Sequence, residues 1–270
     1  MTSALPLSVA IPCKNSERTI GRTLESLRGL ASEIIGVDSG SEDGTIRLLE
    51  EVGARVERIT WAGYNDAAQR ALEMCTQPWA MILDSDESIE PELAASMRSA
   101  LSAVDDSICG FAVNRRVWYR GRFLNHAWQP EWRVRIVRRR LVPDSIRYQG
   151  LDPHGSIALL GRGVGRFERL SGILRHDTIT DMASFMAQQV RWASAAARSL
   201  HAGGARGSYW KLLTSPPGAF LKQMVLKQAW RDGWRGWCAA AATTAATLVK
   251  HAILLDLSRE SGPREGGGSA

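Results

Sequence analysis

Cysteine is sparse in this 270-residue chain and never closely paired: Cys13, Cys75, Cys109 and Cys238 stand far apart. That spacing argues against a zinc site or a redox pair, and four single thiols fit a reducing compartment. Long apolar runs are missing too. The apolar stretch from Trp237 to Val249 reaches 13 residues before Lys250 and His251 interrupt it, below the roughly 20 needed to span hydrocarbon. It is therefore expected to lie on a membrane or re-enter it shallowly, with a soluble helical hairpin as the alternative. Met1 to Pro6 passes straight into a strand-like segment with no basic stretch and apolar run, so no signal peptide is expected and the chain is placed in the cytoplasm. There is no P-loop, no nucleophile elbow and no internal repeat. Gly161-Arg-Gly-Val-Gly165 does not follow a strand that opens into a helix, which removes it as a dinucleotide loop.

What is present is an ordinary globular composition, 44% hydrophobic and 23% charged with 25 glycines. It excludes a disordered, collagen-like or disulfide-stapled protein. Charge is unevenly spread. Residues 1–110 hold 9 lysines and arginines against 18 acidic residues, and residues 111–270 hold 25 against 10, giving an acidic front and a basic back within the net +6.

Leu7 to Pro12 is a short apolar run, and from Ser16 to Leu30 the apolar residues Ile20, Leu24, Leu27 and Leu30 recur at the spacing of one helical face. The strand-helix unit repeats: Glu33–Val37 then Thr45–Val52, Ala54–Ile59 then Tyr64–Met74, and Trp79–Leu83 then Pro91–Ala103. Four β-α units in about a hundred residues predict an open, mostly parallel α/β sheet. From Gly110 to Arg140, β-branched and aromatic residues interleave with arginine, which predicts added antiparallel strands. Helices are expected over Met182–His201, Phe220–Trp230 and Trp234–Leu257, with breaks at Gly203–Ser208 and Pro216-Pro217. The Gly- and Ser-rich tail 258–270 is expected to be disordered.

In open α/β sheets ligands sit beyond the carboxyl ends of the strands, where strand order reverses. Those ends here read Pro12-Cys13-Lys14-Asn15, Asp38-Ser39-Gly40-Ser41 and Asp84-Ser85-Asp86-Glu87. Asp84 and Asp86 point the same way if the strand persists that far. Two converging carboxylates repel unless a cation or protons separate them. A hard divalent ion that takes its remaining ligands from a diphosphate explains the pair economically. A solvated turn capping the next helix is the alternative, and Glu87 is a third carboxylate in reach. Asp38 either faces the crevice or satisfies turn amides. The run from Asp38 to Thr45 is not a calcium loop, because glycine stands at its seventh position and the twelfth is Leu49.

Taken together, Leu7-Ser-Val-Ala-Ile-Pro-Cys-Lys-Asn15, Glu33-Ile-Ile-Gly-Val-Asp-Ser-Gly-Ser-Glu-Asp-Gly-Thr45 and Met81-Ile-Leu-Asp-Ser-Asp-Glu87 resemble the family 2 glycosyltransferases of the GT-A fold. Within that family the chain is most similar to the lipopolysaccharide core β-1,4-glucosyltransferase group. Trp128-Gln-Pro-Glu-Trp-Arg-Val-Arg-Ile136, Asp152-Pro-His154, Leu174-Arg-His176 and the basic, Trp-rich C-terminal helices extend the likeness over about residues 5–257. The resemblance implies a Rossmann-like GT-A domain over 1–178, with a nucleotide-binding half to about residue 110 and an acceptor half after it. A helical membrane-associating region over 179–257 follows. It further implies that Pro12, Cys13 and Asp38 border the nucleobase, that Asp84 meets the ribose or diphosphate, and that Asp86 meets a divalent cation, Mg²⁺ or Mn²⁺. An inverting transfer needs a base for the acceptor hydroxyl and a metal to offset charge on the departing diphosphate. Glu131 is the first candidate base, with a salt bridge to Arg133 or Arg135 as its alternative role, and Asp152 is the second. His154 and His176 are candidates for the diphosphate or metal, or for a structural hydrogen bond.

The implied reaction moves a hexose such as glucose from a nucleotide-diphosphate sugar, a UDP-sugar in the first instance, to a saccharide or glycolipid of the cell envelope. A polyprenyl-phosphate acceptor is the competing reaction. A catalytically degenerate scaffold is the competing non-enzyme reading, motivated by Gly155, which stands where many relatives are acidic. Arginines from Arg115 to Arg147, with no lysine among them, suit a phosphate-bearing ligand. No nucleic-acid motif accompanies them, so nucleic acid is not expected as a partner. Trp210, Trp230, Trp234 and Trp237 beside Lys211, Lys222, Lys227, Arg231 and Arg235 suit a membrane interface, which places the chain peripherally on the cytoplasmic face of the inner membrane.

Overall fold

The structure is a computed structural model describing residues 3–102, 105–150, 155–161 and 164–260. These fall into two compact units, the first made of residues up to 118, 130–150 and 155–178, the second of 119–129 and 179–260.

The first unit is the α/β sheet. Its elements are β1 (Leu5–Cys13), α1 (Glu17–Ser26), β2 (Ala31–Asp38), α2 (Thr45–Glu51), β3 (Arg55–Arg58), α3 (Tyr64–Met74), β4 (Trp79–Ile82), β5 (Glu87–Ile89), α4 (Pro91–Ser102) and β6 (Ile108–Tyr119). Strand β6 ends at Tyr119, where the chain passes into the second unit. There Arg120 and Gly121, both at positive φ, turn the chain into the two-residue strand β7 (Arg122–Phe123). The chain returns to the first unit with β8 (Trp132–Arg138), β9 (Ile146–Gln149), β10 (Ser156–Leu159) and β11 (Arg166–His176). The main sheet runs β3-β2-β1-β4-β8-β6-β11-β5, and β9 and β10 pair separately as an antiparallel hairpin.

Strands β3, β2, β1 and β4 are parallel, as the repeated strand-helix pattern predicts. Both faces of β1 are buried, which accounts for its unbroken apolar run. Leu7, Val9 and Ile11 pack with Ile20 and Leu24 of α1 and with Leu93 and Met97 of α4. Ala10, Ile35 and Val37 pack with Ala68, Ala71 and Leu72 of α3 on the opposite face. The antiparallel strands enter where the interleaved pattern begins. Strand β8 lies antiparallel between β4 and β6, and β11 is parallel to β6. Because β1 has β2 on one side and β4 on the other, strand order reverses there. The crevice of such a fold opens at the carboxyl ends of β1 and β4.

The second unit contains α5 (Met182–Ala202), α6 (Tyr209–Leu221) and α7 (Trp234–Glu260). Asp181 caps α5 by accepting from the Ser184 N–H at 2.8 Å, and Ser208 caps α6 through the Lys211 N–H at 3.3 Å. The break at Gly203–Ser208 lies between them. Three sequence expectations change here. Pro216 and Pro217 sit inside α6 and do not end it; they forgo only the N–H bonds toward Leu212 and Leu213. Phe220–Trp230 is not one helix: it passes from α6 through a π turn (Lys222–Leu226) and a left-handed Gln228 to a 3-10 turn (Ala229–Asp232). Finally, α7 continues through Lys250 and His251 to Glu260, taking in the first three residues of the expected tail; residues 261–270 lie outside the described residues. At 27 residues α7 is long and apolar enough to cross a membrane by length and composition, and only 22% of its most apolar 18-residue window is buried. The 13-residue limit read from the sequence therefore does not bound this helix. Asp232 accepts the N–H groups of Asn125, His126 and Ala127 at 2.9, 3.0 and 2.8 Å. Trp128 donates its indole N–H to Thr243 at 2.9 Å and packs on Phe185.

Candidate active site

The sheet's register carries the sequence candidates to one edge. Cys13, the last residue of β1, pairs with Asp38, the last of β2. Asn15 adopts a left-handed conformation just beyond. Its N–H donates to Ser41 Oγ at 2.9 Å and its Oδ1 accepts from the Glu42 N–H at 2.8 Å, so the loops after β1 and β2 are interlocked. Ser16 and Ser85 hydroxyls meet at 2.8 Å and join the loop after β1 to the one after β4. Asp38 is buried and accepts from the N–H groups of Gly40 and Ser41 at 3.0–3.1 Å, so turn amides satisfy this carboxylate. Pro12 is half-buried and Cys13 buried. Burial first, then the Asp38 charge, pushes the Cys13 thiol up to about 12, so it is a neutral wall of the site.

Strand β4 stops at Ile82, and Asp84-Ser85-Asp86 form a turn. Strand alternation therefore does not align the two aspartates, and each has its own partner. Asp86 Oδ2 lies 3.3 Å from Nε2 of His176, the last residue of β11. Asp84, 40% exposed, accepts from Arg135 Nη2 at 2.6 Å and lies 3.7 Å from Arg115. Burial works to raise its pKa, but Arg135, Arg115 and His176 hold the carboxyl well below the ordinary range.

Behind Asp84 is a charge network that the sequence reading did not assemble. Arg135 Nη2 also donates to Glu87 Oε1 at 2.5 Å, and Arg115 Nη1 reaches the same oxygen at 3.3 Å. Glu87 is fully buried, and that burial pushes its pKa up while the arginines oppose it. Glu131 accepts from Arg115 Nη2 at 2.6 Å and Arg133 Nη2 at 3.1 Å. Its burial would raise the pKa, yet Arg115 and Arg133 bring it below the usual value. The salt bridge weighed for Glu131 is therefore present with Arg133, and Arg115 is a second partner. Part of the signal for this network was available, because Arg133 and Arg135 are spaced by two on one strand and Glu131 stands two residues before Arg133.

The rest of the arginine-rich stretch has structural partners. Arg138 donates to the Ile108 and Asp105 carbonyls and lies over Trp79. Arg139 donates to the Cys75, Glu73 and Val142 carbonyls, and Arg140 pairs with Asp106 at 2.8 Å. Asp152 and His154 lie outside the described residues. At Gly155 an added Cβ would stand 1.9 Å from Asn65 Oδ1 and 2.7 Å from Tyr148 Cε1. Asn65 in turn donates to the Gly150 carbonyl at 2.8 Å. An acidic side chain at 155 would have to displace that contact, which accounts for glycine there.

Among the described residues no group of three or more His, Cys, Asp or Glu is placed to hold a metal ion. The edge does offer a carboxylate beside an imidazole, Asp86 with His176, and the buried Nδ1 of His176 has no hydrogen-bond partner among the described residues. Two such donors suit a divalent ion that completes its shell with diphosphate oxygens and water. They would not make a closed structural metal site.

Comparison with known proteins agrees with this geometry. The model of the family described as glycosyl transferase family 2 matches residues 8–165. A lipopolysaccharide core biosynthesis glycosyltransferase of Rhizobium meliloti, LpsC, is 31% identical over 94% of this chain and 96% of its own length. An uncharacterized glycosyltransferase of Rickettsia typhi is 24% identical over 94% of this chain and 88% of its own. Among solved structures, a Pyrobaculum calidifontis mannosyltransferase in complex with GDP-mannose and Mn²⁺ shares the fold, with a TM-score of 0.51 at 15% identity over 92% of this chain and 88% of its own. The chain belongs to glycosyl transferase family 2 and has the GT-A type of α/β fold. It is a glycosyltransferase, and the reading of a catalytically degenerate scaffold is set aside.

Proposed function

We propose that the chain is a metal-dependent inverting glycosyltransferase of the cytoplasmic membrane face. It moves a hexose such as glucose from a nucleotide-diphosphate sugar, with UDP as the first nucleotide to test, to a saccharide or glycolipid acceptor such as a lipopolysaccharide core. The observation that carries this reading is the gathering of Asp38, Asp84, Asp86, Glu131 and His176 at the edge where the parallel strands end. The near full-length likeness to LpsC supports the acceptor class.

In this reading Pro12, Cys13 and Asp38 border the nucleobase, and Asp84 meets the ribose or diphosphate. Asp86 and His176 would hold the divalent ion, which when bound offsets charge on the departing diphosphate. Glu131 takes the proton from the acceptor hydroxyl. Its arginine partners depress its basicity, so an acceptor that draws Arg115 or Arg133 away would raise the Glu131 pKa as it binds. Asp152 is the second candidate for that role. A polyprenyl-phosphate acceptor is the alternative, favoured by the long apolar α7.

The test is transfer from UDP-glucose, GDP-mannose and related donors to truncated lipopolysaccharide or to polyprenyl phosphate, with and without Mn²⁺. Asp86→Ala is expected to lower the rate by about 10²–10³, the cost of losing one group that stabilises developing charge. Its circular dichroism should stay unchanged. A full rate in Asp86→Ala, or activity indifferent to chelation, would remove the metal assignment. Transfer to polyprenyl phosphate alone would replace the acceptor.

A further inference from the structure

The second unit contains a groove lined by none of the residues assigned above to the transfer reaction. About 630 Å³ in volume, it is lined by Met224, Val225, Gln228, Trp230, Arg231 and Trp237, within the range of small-molecule sites. Its apolar walls face solvent, with Val225 63%, Trp230 57% and Trp237 54% exposed. The backbone around it is irregular: a π turn precedes Gln228, which is left-handed although it is not glycine, and Gly233 follows at positive φ. Irregular backbone of this kind clusters at binding sites. Here it places the Gln228 carboxamide so that its Oε1 accepts from Arg231 Nη1 at 2.9 Å, which fixes the guanidinium at the groove.

The charge is one-sided. Lys222, Lys227 and Arg231 have no ion-pair partner among the described residues, and Asp232, the neighbouring acid, is engaged by three backbone N–H groups. An apolar groove with one braced guanidinium and two further cations is complementary to a molecule with a hydrocarbon chain and an anionic phosphate. We infer that this groove seats one anionic phospholipid of the membrane surface. Arg231 grips the phosphate through its fork, and Met224, Val225, Trp230 and Trp237 lie along an acyl chain. The inference rests on the membrane-face reading given above and narrows it to one lipid class and one residue that reads the headgroup.

The test is sedimentation of the full chain with sucrose-loaded vesicles of phosphatidylcholine, or of phosphatidylcholine with phosphatidylglycerol, at two salt concentrations. Binding is expected to require phosphatidylglycerol. Removing one basic side chain from a diffuse attraction costs about fivefold, so Lys222→Gln should show that loss. Arg231→Gln should lose clearly more, about tenfold. Arg231→Lys keeps the charge and loses the fork, and is expected to bind about threefold more weakly. If Arg231→Lys binds like the parent and Arg231→Gln no worse than Lys222→Gln, the headgroup site is overturned while the membrane reading stands. Equal binding to both vesicle types also overturns the headgroup site. If the folded parent binds neither vesicle, the membrane reading itself fails. A concentration-dependent dimer that Trp230→Ala abolishes would assign the groove to a second copy instead. All these substitutions lie on exposed side chains, and circular dichroism of each variant checks the fold.

Discussion

In the sheet unit Leu7, Ile11, Ile20 and Leu83 are fully buried and Arg135 touches two carboxylates at once. In the helical unit Trp210 and Leu226 are each 75% exposed, and Lys222, Lys227 and Arg231 lack ion-pair partners among the described residues. Around these residues the sheet unit buries its apolar side chains and pairs its charges, whereas this part of the helical unit leaves apolar side chains and cations exposed. Under the proposed function the contrast separates two tasks. The carboxylates proposed for the chemistry need fixed positions and tuned acidity, which buried arginines supply. A surface meant for another phase needs exposed indoles and unpaired cations, which would be a liability on a free soluble domain.

The largest expected effect comes from breaking the compensation. Arg135→Ala leaves Glu87 buried beside one remaining arginine, and should cost about 3–5 kcal/mol of stability in urea unfolding. Adding Glu87→Gln should recover part of that loss, and no recovery would show that Arg135 contributes through packing alone. A matched pair of aromatic truncations tests the contrast directly. Phe111→Ala removes a buried ring that packs on Trp79, for about 3–5 kcal/mol. Trp210→Ala should stay within about 0.5 kcal/mol, and a larger loss would mean that the exposed indoles hold the helical unit together.

An effect smaller than that of either buried truncation concerns Glu33, near the start of β2. Burial works to raise its pKa. The Ser8 hydroxyl, the Thr76 N–H at 3.0 Å and hydroxyl at 2.9 Å, and Arg55 nonetheless bring it below the ordinary value. A depressed folded pKa stabilises the fold above the unfolded value of about 4.3, and that contribution disappears as pH falls through the folded pKa. Glu33→Gln should therefore cost about 1–2 kcal/mol at neutral pH and much less in acid. A cost independent of pH would point to lost geometry and not to charge.

Much of the sheet was legible because its signals are local. The runs at Leu7, Glu33, Ala54 and Trp79 and the helices between them mark four β-α units, and α3 occupies Tyr64–Met74 as expected. Strand order was not legible. That β8 inserts beside β4, or that Glu87–Ile89 pairs with β11, depends on partners far along the chain that leave no periodic trace. The double proline misled for a related reason: a helix held by its neighbours tolerates a loss that would end an isolated one. At the site, strand ends identified Asp38, Asp84 and Asp86, and the family resemblance supplied Glu131. Their pairing with particular arginines was hidden, since several arginines lie within reach of each carboxylate along the chain.

The bonds from Asp232 to residues 125–127 also bear on how divisible this protein is. Sequence order invites a cut after residue 178, with the sheet on one side and the helices on the other. Such a fragment would keep residues 119–129 and lose the carboxylate that receives three of their amides, as well as the Thr243 hydroxyl that receives the Trp128 indole. Those donors would exchange fixed partners for water, and the segment would lose what holds its conformation. Trimming the helices away should therefore yield a poorly behaved fragment, and exchange of this unit between relatives would succeed only if the 119–129 excursion travelled with it.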